Sequence, residues 1–305
     1  MLLRVIPDIA AMATSPVEAL RGVALHAGLF GYVAFATSLV LGARFPLIER
    51  AFGGLDRMYR LHRRLGAAAA GLLVVHVGSQ IAVQVASDAG IVTLLRPDAG
   101  WRVFAGVLAL AGLATVLTLT AVVRLRHERF LRIHRLLGLV FAVGAAHTLR
   151  VPAFAAQSSW LNGYLIAITL VGAAAWLYRS GLGRTLVRRH WYEVARIRTL
   201  HPTITELTLE PLDEPLDFRP GQLVFVGVDD DAVGRELHPF SITSPPGERT
   251  LRLVMKAVGD FTGRVPGVTP GSVCKVEGPY GTFWRSGATA ARQIWIAGGS
   301  ASRRF

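Results

Sequence analysis

Arg60-Leu61-His62-Arg63-Arg64-Leu65-Gly66 and Arg132-Ile133-His134-Arg135-Leu136-Leu137-Gly138 are two versions of one heptapeptide, 72 residues apart. Each opens an apolar segment with a second histidine further on, His76 in the first and His147 in the second. Ionisable side chains at membrane depth are costly and are seldom kept without a task. Four of them, two per segment at similar spacing, point to two stacked haems clamped between two helices. An α-helix rises about 1.5 Å per residue, so His62 and His76 lie roughly 21 Å apart along the axis and about 40° short of four full turns. Both imidazoles then share a face. His134 and His147 are thirteen residues apart. On an ideal helix that separates them by roughly 20 Å and turns them about 140° from one another. A bend or a change of pitch must correct this, and Gly138 and Gly144 lie where such distortion is easier.

Composition agrees with a membrane setting. Of 305 residues, 52% are hydrophobic and 17% charged, and the length allows two domains. The net charge of +13 is carried mainly by arginines at the ends of apolar segments. Positive-inside anchoring accounts for them, and no nucleic-acid motif accompanies the charge, so no nucleic-acid partner is expected. The single cysteine, Cys274, excludes an internal disulfide, a CxxC centre and a four-cysteine iron–sulfur cluster within these residues. Residues 1–15 lack the apolar core of a cleavable signal peptide, so the first spanning helix is expected to direct insertion.

Five segments are long and apolar enough to span, roughly 22–43, 62–86, 102–123, 133–151 and 160–178. Arginines crowd the stretches 44–64 and 124–135 and the region from Arg179 onward, while 87–101 and 151–159 are nearly free of them. The three basic regions fall on one face, which reads as the cytoplasmic face of the cell (inner) membrane. The N-terminus is then outside and the C-terminal half inside. Trp160, Trp176 and Tyr178 sit near span ends, as interfacial aromatics do.

One span separates the two histidine-bearing helices, so they run parallel and pair first with first. His62 and His134 would hold an inner haem, and His76 and His147 an outer one. Gly66 and Gly138 lie one turn beyond His62 and His134, where a flat macrocycle needs close backbone approach, and Ala67–Ala70 widens that groove. Arg63, Arg64 and Arg135 are candidates for the inner propionates and Arg150 for the outer ones. The same histidines would also suit bonds between neighbouring helices, or a proton relay in a channel or transporter. His26 is a lone polar residue on the first span, read as packed or hydrogen-bonded. His127, His190 and His201 read as loop residues.

Near residue 190 the pattern changes to short alternating strands: Thr205–Leu209, Gln222–Val228 and Leu251–Val258. Turns such as Pro220-Gly221, Pro245-Pro246-Gly247 and Pro270-Gly271 separate them, a rhythm typical of a small antiparallel barrel. The fold class expected is a multi-domain membrane protein, an all-α transmembrane bundle followed by this barrel. The expected boundaries are an N-terminal segment 1–19, a transmembrane domain 20–180, a linker 181–190, a barrel 191–290 and a further start at 291–305.

The barrel carries Phe218-Arg219-Pro220-Gly221-Gln222, then His238-Pro239-Phe240-Ser241-Ile242-Thr243-Ser244, then Gly259-Asp260-Phe261-Thr262 and Glu277-Gly278-Pro279-Tyr280-Gly281. With the paired-histidine spans, this order resembles the NADPH oxidase and ferric reductase family of flavocytochromes over about residues 20–299. The resemblance implies two b-type haems in the spans and FAD on a barrel of ferredoxin reductase type. It implies that Phe240 stacks on the isoalloxazine and that Ser241 points at its reactive edge. His238 stands where related flavin reductases carry an Arg and would serve the phosphate or ribose side, next to Pro239. Thr243 and Ser244 would add donors, and Gly259 and Thr262 would meet the pyrophosphate. A flavin needs such a stacking surface, a donor near its reactive nitrogen and pyrophosphate partners. The plainer reading is a strand–turn with a buried Phe. The Pro-Tyr-Gly turn reads as structural at least as readily as functional.

Ile294-Trp295-Ile296-Ala297-Gly298-Gly299 looks like the first strand and glycine turn of the family's NAD(P)-binding domain, which needs on the order of a hundred further residues. The chain instead reads Ser300-Ala301-Ser302-Arg303-Arg304-Phe305. A truncated or frame-shifted frame is the favoured expectation, and a short form reduced by a separate protein the other. The family also carries a further span ahead of the first one here. The function expected is transmembrane electron transfer, from cytoplasmic flavin through two haems to an acceptor outside, with NAD(P)H the donor in the complete family. The rivals are a haem-binding membrane subunit served by a separate reductase, and a nonfunctional fragment. No residue is assigned as catalytic, and ferric chelates, oxygen and quinone suit the outer face equally.

Overall fold

The computed structural model describes residues 15–87, 100–123, 125, 127–150 and 159–283. The segment 1–14, the Arg-poor connectors 88–99 and 151–158, and the glycine turn at Gly298-Gly299 lie outside the described residues. The chain divides into two units. One takes the residues up to Arg44 together with Tyr59–Gly183, and the other takes Phe45–Met58 together with the chain from Arg184.

The first unit is helical. Helix α1 runs over Pro16–Gly42, earlier than its apolar run suggests, because Ser15 caps it. The Ser15 hydroxyl accepts the Glu18 N–H at 3.2 Å and proline occupies the first turn. A short helix, α2 (Pro46–Ala51), follows in the connector, then α3 (Leu55–Ala86), α4 (Trp101–Ala121), α5 (His127–His134), α6 (Leu137–Thr148) and α7 (Ser159–Trp176). Helix α7 ends in a π-helical turn at Leu177–Gly181. Among the described residues, five helices are long and apolar enough to cross a membrane, with α5 and α6 counted as one span.

The fourth span is broken where the thirteen-residue spacing demanded a correction. Arg135 and Leu136 form a turn between α5 and α6. The Trp176 indole N–H donates to the Arg135 carbonyl at 2.8 Å, an oxygen that also accepts the Gly138 N–H at 3.2 Å across the tightened turn. The indole lies so close over Gly138 that a Cβ there would collide with it. Gly138 therefore serves the break, and its expected role as a backing for a macrocycle is corrected. Packing centres on Phe141, which stacks on Tyr32 at 5.1 Å and meets Phe35 edge-on at 5.4 Å. Thr169 donates to the Leu165 carbonyl, so the 2.6 Å contact with Tyr32 has the phenol donating. Val74, Phe104, Leu108 and Leu170 stay exposed on the outside of these helices.

The second unit is a curled antiparallel sheet, a six-stranded half-barrel in the order β4-β3-β6-β1-β2-β5. The strands are β1 (His190–His201), β2 (Ile204–Pro211), β3 (Leu223–Val228), β4 (His238–Ser241), β5 (Leu251–Lys256) and β6 (Val273–Tyr280). Alternation drives β2, whose Thr205, Leu207, Leu209 and Pro211 are buried. The two edges approach at a bridge between Ile242 and Leu253, and the Thr243 N–H donates to the Arg252 carbonyl at 2.9 Å. The core holds Tyr192, Val194, Leu253, Met255, Cys274 and Val276. His190 and His201, expected in loops, begin and end β1. His190 is buried, with Nδ1–H donating to the Glu214 carbonyl at 3.2 Å.

Candidate cofactor sites

Helix α3 brings His62 against His134 and His76 against His147. The ring centres lie 6.1 Å apart in the first pair, with planes at 70°, and 6.3 Å in the second, at 67°. An imidazole nitrogen lies about 1 Å from its ring centre and a metal–imidazole bond is about 2 Å, so two imidazoles on opposite sides of one metal set their centres about 6 Å apart. Both pairs match that separation.

The rings are oriented from behind. His62 Nδ1 lies 2.8 Å from the Ser38 carbonyl and His76 Nδ1 lies 2.7 Å from the Ala24 carbonyl. A carbonyl only accepts, so each Nδ1 carries the proton and each Nε2 is left bare, the form that ligates a metal. Glycines let the rings sit this close to neighbouring backbone. A Cβ on Gly28 would fall 2.7 Å from His76 Nδ1, and one on Gly106 would fall 2.9 Å from His147 Nδ1. His134 differs. Its ring stacks on Phe130 at 5.2 Å, and its Nδ1 is buried without a hydrogen-bond partner among the described residues.

A cavity of about 380 Å³ opens beside the second pair, lined by His76, His147, Gly28, Gly106, Gly144 and Phe141 among others. Its lining is mostly aliphatic and aromatic, with Gln80 and Gln84 one and two turns beyond His76. Two imidazoles are too few ligands for a bare ion, and a planar macrocycle would supply the rest. The ring separation of each pair, and the cavity beside the second, suit a haem.

The arginine candidates separate. Arg63 and Arg64 are exposed. Arg135 shares its surroundings with Arg44 and Arg179, two residues that the sequence reading used only for orientation. Arg44 adopts φ 59° and sets its guanidinium 5.6 Å from the Tyr59 ring centre. Arg150 lies over Trp101, 4.8 Å from a ring centre.

On the half-barrel, β4 presents the His238–Ser241 stretch at a sheet edge. The His238 ring lies 4.2 Å from Phe261, and Phe240 stacks on Phe261 at 5.8 Å. Pro239 is exposed and Ser241 is half-buried. Three residues expected to meet the ligand also bond neighbouring backbone. Thr243 Oγ donates to the Arg252 carbonyl at 2.9 Å, and the buried Ser244 Oγ accepts the Arg252 N–H at 3.2 Å. Thr262 Oγ accepts the N–H groups of Val258 and Gly259 and donates to the Gly259 carbonyl. Its lone pairs and proton are thereby committed to the start of the short helix Asp260–Arg264. His238 and Phe240 both lie against the buried Phe261, Phe240 packs on the barrel core, and Ser241 is half-buried beside them.

Two further groups bear on this unit. Glu49, in α2, is 2% exposed and accepts the Gly281 N–H at 2.9 Å. Burial holds its carboxyl above the usual range, while the Gly281 N–H and the Arg50 charge pull the other way. Glu277 is buried, accepts the Tyr280 hydroxyl at 3.0 Å and lies 3.8 Å from Arg189.

A helical membrane unit with facing imidazole pairs, joined to a half-barrel with an aromatic edge, defines a membrane oxidoreductase of the flavin kind. Residues 27–145 match the model of the ferric reductase like transmembrane component, and residues 190–283 match that of an FAD-binding domain. The chain has the ferric reductase/NADPH oxidase-like arrangement, with these two domains in order. A probable dihydroorotate dehydrogenase B (NAD(+)), electron transfer subunit, from Methanopyrus kandleri is 32% identical over 94 residues, which are 31% of this chain and 33% of that protein. The chain thus spans about a third of that relative's length. A flavohemoglobin from Malassezia yamatoensis superposes over 90% of this chain and 66% of its own, at 16% identity and a TM-score of 0.35. The flavohem-like FAD/NAD binding domain of nitric oxide dioxygenase from Vibrio cholerae covers 30% of this chain and 43% of its own, at 25% identity and a TM-score of 0.26.

Proposed function

We propose that this chain carries electrons across the cell membrane, from FAD on the half-barrel to an acceptor on the opposite face. One b-type haem is held by His62 and His134 and a second by His76 and His147. The observation that carries the reading is the pair of ring-centre separations, 6.1 and 6.3 Å, with His62 and His76 each anchored through Nδ1. When bound, FAD takes an electron pair from a two-electron donor and the haems pass electrons singly, so the same number arrives as departs.

The chain's residues do the rest. The Ser38 and Ala24 carbonyls hold the Nδ1–H tautomer of His62 and His76, which turns Nε2 of the neutral ring to the metal. The apolar lining around Phe141 excludes water from the outer cavity. Phe240 and His238 supply the stacking and polar edge for the flavin, and Ser241 the hydroxyl beside it. Arg135, with Arg44 and Arg179, supplies positive charge suited to the inner propionates, and Arg150 to the outer ones. The basic regions at 44–64, 124–135 and beyond Arg179 support a cytoplasmic half-barrel. NADH or NADPH is the donor class for the arrangement. The electron-transfer-subunit name of the Methanopyrus relative favours a second reading, in which a separate reductase partner exchanges electrons with the barrel.

The test is a reduced-minus-oxidised spectrum of the purified chain with haem and flavin quantified on one preparation. Low-spin b-type absorbance with about one FAD per chain is expected. Haem without flavin supports the partner-served subunit. Absence of b-type absorbance, or its survival when all four histidines are replaced by Ala, overturns the proposal.

A further inference from the structure

The two histidines of the inner pair are not held alike. His62 rests Nδ1 against the Ser38 carbonyl at 2.8 Å. His134 Nδ1 is buried and has no hydrogen-bond partner among the described residues. An imidazole that binds a metal through Nε2 carries its proton on Nδ1. For His62 that proton meets a carbonyl. For His134 it meets no acceptor among the described residues, and a buried donor left unpaired is costly. Ligation thus carries a penalty at His134 that it does not carry at His62. What holds the His134 ring is an aromatic face. Phe130, one turn earlier on α5, stacks on it with ring centres 5.2 Å apart and planes at 14°. Stacking covers the face of the imidazole and offers its in-plane N–H no acceptor.

The backbone adds a second difference. His62 lies inside α3, which continues from Leu55 to Ala86. His134 is the last residue of α5, a helix of eight residues. The chain beyond it tightens. The Leu136 N–H donates to the Ile133 carbonyl at 3.0 Å, Gly138 to Arg135 at 3.2 Å and Leu139 to Leu136 at 2.9 Å, each bond spanning three residues instead of four. A stretch of this kind within a longer helical span often marks a hinge. The imidazole that lacks a rear partner therefore also stands at the joint of its span.

We propose that His134 is the exchangeable ligand of the inner pair, released from the haem iron while His62 stays bound. The inference rests on the electron-transfer reading above and concerns the same site. Release is a simple dissociation. The Nε2 lone pair returns to the neutral ring, no electron or proton moves, and the open position accepts a small neutral ligand. Losing an outer-shell partner typically weakens metal binding by about 10–100-fold, and the His134 bond is weaker than the His62 bond by a factor of that order.

The experiment uses the full chain purified in detergent. Haem is quantified, the protein is reduced with dithionite in the absence of air, and carbon monoxide is added as the probe. The expected result is a carbon monoxide adduct on about half of the haem, with the other half remaining low-spin. In Gly28→Ala, whose Cβ would stand 2.7 Å from His76 Nδ1, and in Gly106→Ala, whose Cβ would stand 2.9 Å from His147 Nδ1, the outer site empties and all remaining haem should form the adduct. With His62→Ala and His134→Ala combined, the remaining outer haem should refuse it. Resonance Raman spectroscopy of the unaltered chain after photolysis of the adduct then identifies the imidazole that stayed. The iron–imidazole stretch should lie at the raised frequency of a ligand hydrogen-bonded through Nδ1, which marks His62, because such bonding makes the ligand more basic. A stretch at the frequency of an unbonded imidazole marks His134 as the one retained and overturns the proposal. Adduct formation on neither haem, or on the outer haem in preference, overturns it too, and in these cases both haems are present and the electron-transfer reading stands. A chain that holds no haem overturns both.

Discussion

Gly28→Ala is the sharpest single perturbation of the outer pair. A Cβ at residue 28 would stand 2.7 Å from His76 Nδ1, whereas ordinary contact begins at 3.4 Å. The imidazole must retreat from α1 by about 0.7 Å to restore ordinary van der Waals separation. Its 2.7 Å bond to the Ala24 carbonyl, also on α1, then stretches to the edge of hydrogen bonding. Loss of that bond costs about 0.5–1.5 kcal/mol. The displacement also exceeds the roughly 0.2 Å tolerance of a ligand–metal bond. Losing an outer-shell partner typically weakens metal binding by about 10–100-fold. The expected outcome is a chain with about half the parent's haem, since the outer site empties while the inner one stays filled. Redox titration should then resolve one potential instead of two. Gly106→Ala should behave alike, because its Cβ would stand 2.9 Å from His147 Nδ1. Gly42→Ala is the control: its Cβ would lie 3.6 Å from His62 Cε1, an ordinary contact. Full haem content in G28A, or equal losses in G28A and G42A, would refute the reasoning.

Three further outcomes follow from local geometry. Gly138→Ala forces the Trp176 indole away from the Arg135 carbonyl, and should lower the unfolding temperature of the membrane unit and cut inner haem content, with Trp176→Phe giving a milder version. Asp230 accepts hydrogen bonds from Ala232, Thr269 and Ser272, which hold its carboxyl down at about 2, below the ordinary 3.8. A depressed carboxyl stabilises the fold above its unfolded value and loses that contribution as pH falls through the folded one. Thermal unfolding of the flavin unit should therefore weaken between pH 4 and pH 2 in the parent and show a flatter profile in Asp230→Asn. Burial pushes the Cys274 thiol up to about 12, so iodoacetamide should leave the folded chain unlabelled at pH 8 and label it fully in denaturant. Since Cys274 is the sole cysteine, labelling of the folded chain would directly contradict its burial.

Much of the architecture was legible because it depends on periodicity. Apolar run lengths located the five spans, and span parity set the histidine-bearing helices parallel, so first met first. Strands β2, β3 and β5 announced themselves by alternation between turn signals. Strand β1 did not, because only its first half alternates cleanly, while Arg196, Arg198 and Thr199 remain exposed. The thirteen-residue spacing signalled that the fourth span must depart from an ideal helix. It did not say that the departure would be a break at Arg135–Leu136 closed by Trp176, a residue 41 positions away. Arg44 and Arg179 were visible only as charges, since nothing local places them beside Arg135. The motif marked Thr243 and Ser244 as donors and Thr262 as a pyrophosphate contact, and it gave no sign of the backbone groups that these hydroxyls also bond.

Residue order alone determined which side chains exist, how far apart they stand along a helix or strand, and how often the chain crosses an apolar layer. Those properties follow from fixed rise and pitch. The tertiary structure decided which carbonyl each imidazole leans on, which glycine leaves room for a ring, and that a carboxylate from the first connector meets the backbone of Gly281. Such contacts join segments remote in sequence and depend on fractions of an ångström, a scale set by packing and absent from any repeat in the sequence.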